Sequence, residues 1–110
     1  MTQPGPMQSE SEEDTLKNVV YEADLEIKNA EGLHMRPAMQ FVDVANRYES
    51  DIAVSNDQTK VDGKSIMNIS MLAATCGTKL RVRAEGSDAR EAIDALRVLV
   101  EEKHFDEPTP

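Results

Sequence analysis

The chain has 110 residues, 39% hydrophobic and 4% aromatic, with 12 Lys and Arg against 21 Asp and Glu for a formal net charge of -9. That length holds one compact domain and excludes most self-contained multi-domain enzymes, while the charge and the absence of Trp argue against nucleic acid or an anionic membrane as the main partner. One cysteine excludes a disulfide framework or cysteine-rich zinc site, and without a signal-like start or an apolar run of roughly 18 residues the expectation is a soluble, cytoplasmic protein.

Residues 1–18 combine Pro4, Gly5 and Pro6 with Glu10, Glu12, Glu13 and Asp14, and Leu16 is their only sizeable apolar side chain besides methionine. Such a segment buries too little surface to offset its ordering entropy, which predicts a mobile leader. From Val19 to Lys28, apolar Val19, Tyr21, Ala23, Leu25 and Ile27 alternate with Glu22, Asp24, Glu26 and Lys28. This is the pattern of a half-buried strand with one wet face. Ala38, Phe41, Val42, Ala45 and Tyr48 then recur at helical spacing, with Pro37 where a first turn tolerates it, predicting a helix of about three turns. Ile52 and Val54, then Thr59 and Val61, read as a hairpin around residues 55–58. Ser65 stands as an N-cap before Ile66, Ile69 and Leu72, a short helix ending towards Gly77. Leu80, Val82 and Ala84 alternate with Lys79, Arg81, Arg83 and Glu85 as a fourth strand. Ser87 or Asp88 caps a last helix with Ala92, Ile93, Leu96, Leu99 and Val100 on one face, and Asp88 with Glu91 has the spacing of a capping box.

Residues 101–110 repeat the acidic, proline-containing pattern of the leader and are expected to fray. The domain is therefore bounded at residues 19–103, with an acidic tail over 104–110. Each end holds four acids and one lysine, so residues 19–100 keep 13 acids and 10 bases and the folded part is nearly balanced.

The order βαββαβα, with one apolar face per element, predicts an α+β fold with a four-stranded antiparallel sheet and three helices on one side. On the open side the acids of the first strand complement Lys79, Arg81 and Arg83 of the last, which places these two strands side by side.

The stretch Gly32-Leu33-His34-Met35-Arg36-Pro37-Ala38 puts a histidine and an arginine where a loop enters a helix. Unpaired amides and a partial positive charge there favour an anion, Arg36 offers a guanidinium suited to phosphate oxygens, and a neutral imidazole is a good nucleophile towards phosphorus. The same placement suits a plain helix cap or a bystander histidine, and physical chemistry by itself leaves these roles open. Cys76 reads as a small packing residue and His104 as solvated, and no metal ligand set accompanies the two histidines.

This stretch resembles the active-site signature of HPr, the histidine-containing phosphocarrier family of the bacterial phosphoenolpyruvate:sugar phosphotransferase system. The resemblance runs from about Val19 to Glu102, through Gln40-Phe41-Val42, Gly63-Lys64-Ser65-Ile66-Met67 and Ala84-Glu85-Gly86. It implies an open-faced β-sandwich with sheet order 1-4-2-3. It also implies that His34 takes a phosphoryl group on Nδ1 from enzyme I and passes it to enzyme IIA domains of sugar permeases, with Arg36 stabilising the phosphate. Such a carrier has no independent turnover, needs no cofactor or metal and acts as a monomer. Ser65 matches the family's regulatory serine, the target of HPr kinase/phosphorylase, and Met35, Ile66 and Met67 its exposed docking patch; a plain N-cap is the alternative for Ser65. Met35 replaces a small residue common after the histidine, and Asn68 a glycine common after Ile-Met. A regulatory, nitrogen-type carrier or a kinase-controlled effector not coupled to sugar transport is the alternative; retention of both His34 and Arg36 argues against an effector alone.

Overall fold

The computed structural model describes residues 19–110, so the leader expected over 1–18 lies outside the described residues. In chain order the elements are β1 (Val20–Glu26), α1 (Met35–Ala45), β2 (Asp51–Ser55), β3 (Lys60–Asp62), α2 (Ile66–Ser70), β4 (Lys79–Glu85) and α3 (Ala89–Arg97). All strand pairings are antiparallel and the sheet order is β1-β4-β2-β3, which sets β1 beside β4 as the charge pattern required and follows the order the resemblance implies. Asp24 faces Arg81 and Glu22 faces Arg83 across β1 and β4. Arg81 Nε lies 2.9 Å from Asp24 Oδ1, and Arg83 Nε lies 3.4 Å from Glu22 Oε2. The hydrogen bond from Arg81 holds the Asp24 carboxyl below its ordinary pKa, against the opposing effect of desolvation.

The core fills the space between the other sheet face and the helices. Leu25, Val54, Leu80 and Val82 from the strands are buried with Phe41 of α1, Ile69 of α2 and Leu96 of α3. Burial of β1's apolar face is confined to one end: Leu25 and the following Ile27 are buried, whereas Tyr21 is exposed and Ala23 half-buried. α1 and α2 are shorter than their apolar periodicity implies. α1 stops before Tyr48 because Asn46 turns its side chain back, donating from Nδ2 to Val42 O at 2.9 Å and to Lys64 O at 3.2 Å.

The capping box expected at α3 does not form. Asp88 is the N-cap residue but makes no cap bond with its side chain. Its carboxylate instead accepts from Glu49 N, Ser50 N and Ser50 Oγ, tying the start of α3 to the approach to β2. Desolvation alone would raise the Asp88 pKa, but these bonds outweigh it and hold the carboxyl below its ordinary value.

The largest departure is at the C-terminus. α3 runs on through a wider turn of π type (Val98–Glu102), and residues 104–106 then adopt positive φ angles of 52°, 54° and 58°. This left-handed turn drives Phe105 into the core, where it is fully buried, and Ala30 N donates to Pro108 O at 2.8 Å. Burying one Phe side chain stabilises by about 1.5–3 kcal/mol. The tail expected to fray is docked by the one large aromatic within its run of acids.

Candidate functional site

The loop before α1 is set by Gly32, whose φ of +74° and close approach to the neighbouring chain both require glycine: a Cβ there would stand 2.7 Å from Ala74 O. Leu33 N donates to the same carbonyl at 2.9 Å. His34 follows as the N-cap residue of α1, in extended conformation, with Ala38 N bonded to its carbonyl at 3.0 Å. Its imidazole makes no capping bond, so the side chain is not engaged as a cap. Among the described residues the ring's hydrogen bonds are all at Nε2, 3.0 Å from both carboxylate oxygens of Glu107. Nδ1 is thus left for other chemistry.

Arg36 projects from the same turn, its side chain 53% exposed. One nitrogen, Nη1, donates to Glu107 Oε2 at 2.7 Å and to Phe105 O at 3.3 Å. Pro37 is buried in this first turn and removes one amide that would have had no helical partner. The helix-start amides and a partly exposed guanidinium therefore flank an imidazole with an available ring nitrogen. The arrangement can accept and hold a phosphoryl group.

Glu107 is a member of this site that sequence reasoning assigned to a frayed tail. Its side chain is only 12% exposed. Besides His34 and Arg36 it accepts from Asn29 Nδ2 at 2.9 Å, and the fully buried Asn29 also donates to Gly32 O at 2.7 Å. Desolvation would push the Glu107 pKa up, but the bonds from His34, Asn29 and Arg36 outweigh it and hold the carboxyl below its ordinary value. The lone Phe105 was the available sign that this segment docks; nothing in the spacing pointed to Asn29.

Ser65 is the N-cap residue of α2, and its Oγ accepts from Asn68 N at 3.2 Å and Asn68 Nδ2 at 3.1 Å. α2 packs beside α1, but no hydrogen bond joins Ser65 to His34 among the described residues. Met35 and Met67 are exposed, 58% and 75%, as expected of a docking patch; Ile66 is half-buried against the core instead. Met39 and Met71, each four residues beyond one of these, are exposed as well, 57% and 71%, and widen the methionine surface. Cys76 is half-buried, with Sγ 3.8 Å from Lys28 O, and His104 lies in the left-handed turn. Among the described residues no group of three His, Cys, Asp or Glu side chains could hold a metal ion, and no helix is long and apolar enough to cross a membrane.

An open-faced sheet with a histidine and an arginine at the start of its first helix has the groups that a small phosphoryl carrier needs. Residues 21–102 match the family model for the phosphorylation site of the phosphotransferase-system HPr component, and the chain belongs to the HPr family. It is 46% identical over 85 residues to the phosphocarrier protein HPr of Pseudomonas aeruginosa, covering 76% of this chain and 93% of that one. It is 40% identical over 79 residues to the HPr-like protein Crh of Bacillus subtilis, covering 72% and 93%. Among solved structures, an HPr from Thermoanaerobacter tengcongensis superposes with a TM-score of 0.75 at 46% identity, covering 79% of this chain and 97% of that chain. The chain is accordingly a phosphocarrier component of the phosphotransferase system, not an enzyme with turnover of its own. Residues 103–110, which hold Glu107, fall outside the matched region.

Proposed function

We propose that His34 is the phosphoacceptor, taking a phosphoryl group on Nδ1 from phosphorylated enzyme I and passing it to enzyme IIA domains of sugar permeases in the cytoplasm. The observation that carries this reading is the imidazole at the start of α1, held among the described residues only through Nε2 and flanked by Arg36. In the forward step the Nδ1 lone pair attacks phosphorus and the bond to the donor breaks with its electrons leaving on the donor. The acceptor later repeats the exchange from the other side. Positioning and charge stabilisation are all that such a transfer asks of the carrier, so an exposed site on a small domain suffices. Incubation with enzyme I and phosphoenolpyruvate should give an acid-labile, base-stable phosphate that His34→Ala abolishes. An unlabelled wild-type chain would sink the proposal.

Ser65 is the proposed regulatory site for HPr kinase/phosphorylase. Its hydroxyl is half-buried and accepts two bonds from Asn68, and a phosphate there would place two negative charges beside the exposed Met67. With ATP and the kinase, an acid-stable phosphate should appear and be lost in Ser65→Ala; label persisting in that variant would put the site elsewhere. The 40% identity with Crh, a catabolite-repression HPr of Bacillus subtilis, favours a second reading in which the acceptor is a regulatory protein. Transfer of label from His34 to a purified sugar-specific IIA domain separates the two.

A further inference from the structure

The contact between Glu107 and His34 bears on where the ring's proton resides once phosphate is attached. An imidazole substituted on Nδ1 keeps a positive charge only if Nε2 holds its proton. If that proton leaves, the ring is neutral and departs from phosphorus as an anion, a far poorer leaving group. Both oxygens of Glu107 lie 3.0 Å from Nε2, in a pocket where the carboxylate is only 12% exposed. A hydrogen-bonded carboxylate at that distance favours the protonated ring. Given the carrier role proposed for His34, on which this inference rests, we propose that Glu107 is a positioning residue that keeps the proton on Nε2 while the phosphoryl group is on Nδ1.

The step balances without a proton leaving the site. Nδ1 donates its lone pair to phosphorus, the donor bond breaks, and the ring becomes an imidazolium paired with Glu107. On transfer the N–P bond breaks, its electron pair returns to Nδ1, and the ring is again neutral with the proton still on Nε2. The phosphate and Glu107 need not compete for the same donors. Glu107 engages Arg36 at Nη1, and a guanidinium carries five N–H groups.

Glu107 is held for this task by a built pocket. The fully buried Asn29 donates to it and to Gly32 O while its own Oδ1 stays without a partner among the described residues. An unmatched buried acceptor is costly, and the amide tolerates it in the orientation that serves Glu107. Phe105 and the Ala30 to Pro108 bond fix the segment on either side. The other charges facing the ring are Glu31, 3.8 Å from Nε2 but 80% exposed, and Arg36, which Glu107 pairs directly.

The test is a pH titration of the phosphorylated chain, following Nε2 by nitrogen NMR with labelled histidine. Glu107→Gln keeps the shape and removes the charge; deletion of residues 104–110 removes the carboxylate by a second route. Both should lower the pH at which Nε2 of the phosphorylated ring loses its proton, and above that pH slow phosphoryl transfer about tenfold. Exchange of the Ala30 amide reports whether the segment is still docked in Glu107→Gln. A shift in the docked Glu107→Gln chain supports the proposal; an unchanged midpoint in both variants, or a shift in the deletion alone, overturns it. A wild-type chain that takes phosphate but matches the variants fails only the role of Glu107. One that takes no phosphate fails the carrier reading and this proposal with it.

Discussion

Arg36 has its Nη1 committed to Phe105 O and Glu107, while its side chain remains about half exposed and able to meet an incoming phosphate. A charge-assisted hydrogen bond contributes about 1.5–3 kcal/mol. Arg36→Ala should therefore slow labelling of His34 by enzyme I on the order of 10–100-fold, read from initial rates; a rate within twofold of wild type would remove Arg36 from the site. Arg36→Lys should recover only part, because an ammonium lacks the planar fork. His34 and Arg36 were legible because the chemistry lies within three residues and at a helix start, where local rules apply. Glu107 was not, since it meets His34 across 73 positions and Asn29 across 78. Composition marks a short acidic stretch with two prolines as a tail; it does not register that one buried aromatic can dock it.

At the level of strands and helices, opposite stripes of charge gave the neighbour relation of β1 and β4, because register alignment makes cross-strand pairs additive along the face. Replacing both Arg81 and Arg83 with Glu puts like charges opposite Asp24 and Glu22. The melting temperature should fall by several degrees and recover partly in high salt, since these pairs face water. An unchanged melting temperature at low salt would mean the stripe is a solvated surface only. Helix ends were less legible than helix faces. Asn46 ends α1 by bonding across to Lys64, and Asp88 is drawn from its expected box by the amides of residues 49 and 50, both tertiary partners invisible to a local motif. Because Ser50 is buried, Asp88→Ala leaves its amide without a partner and should cost about 1–3 kcal/mol in denaturant unfolding. A loss below about 0.5 kcal/mol would mean that water or a shifted loop satisfies the amide.

Asp88 and Glu107 are among the carboxylates that tie segments distant in sequence, one joining α3 to residues 49 and 50, the other joining the C-terminus to residues 29, 34 and 36. Both have native pKa values held below their ordinary 3.8 and 4.5. A carboxyl lowered in the native state binds its proton more weakly there than in the unfolded chain, so each adds stability that is fully present above the unfolded pKa. That stability is lost as pH falls through the native one. The melting temperature should hold level from neutral pH down to about 5 and drop below about 4. Asp88 and Glu107 differ in what they release. Protonating Glu107 frees only the terminal segment, so exchange of the Ala30 amide should rise in acid while amides of β4 stay protected. Protonating Asp88 loosens the packing of α3 on the sheet, and Asp88→Asn should flatten the acid limb of the melting curve. If Ala30 and the β4 amides lost protection together, the terminal segment would be an integral part of the cooperative core, and its contact with His34 could not open without unfolding the domain.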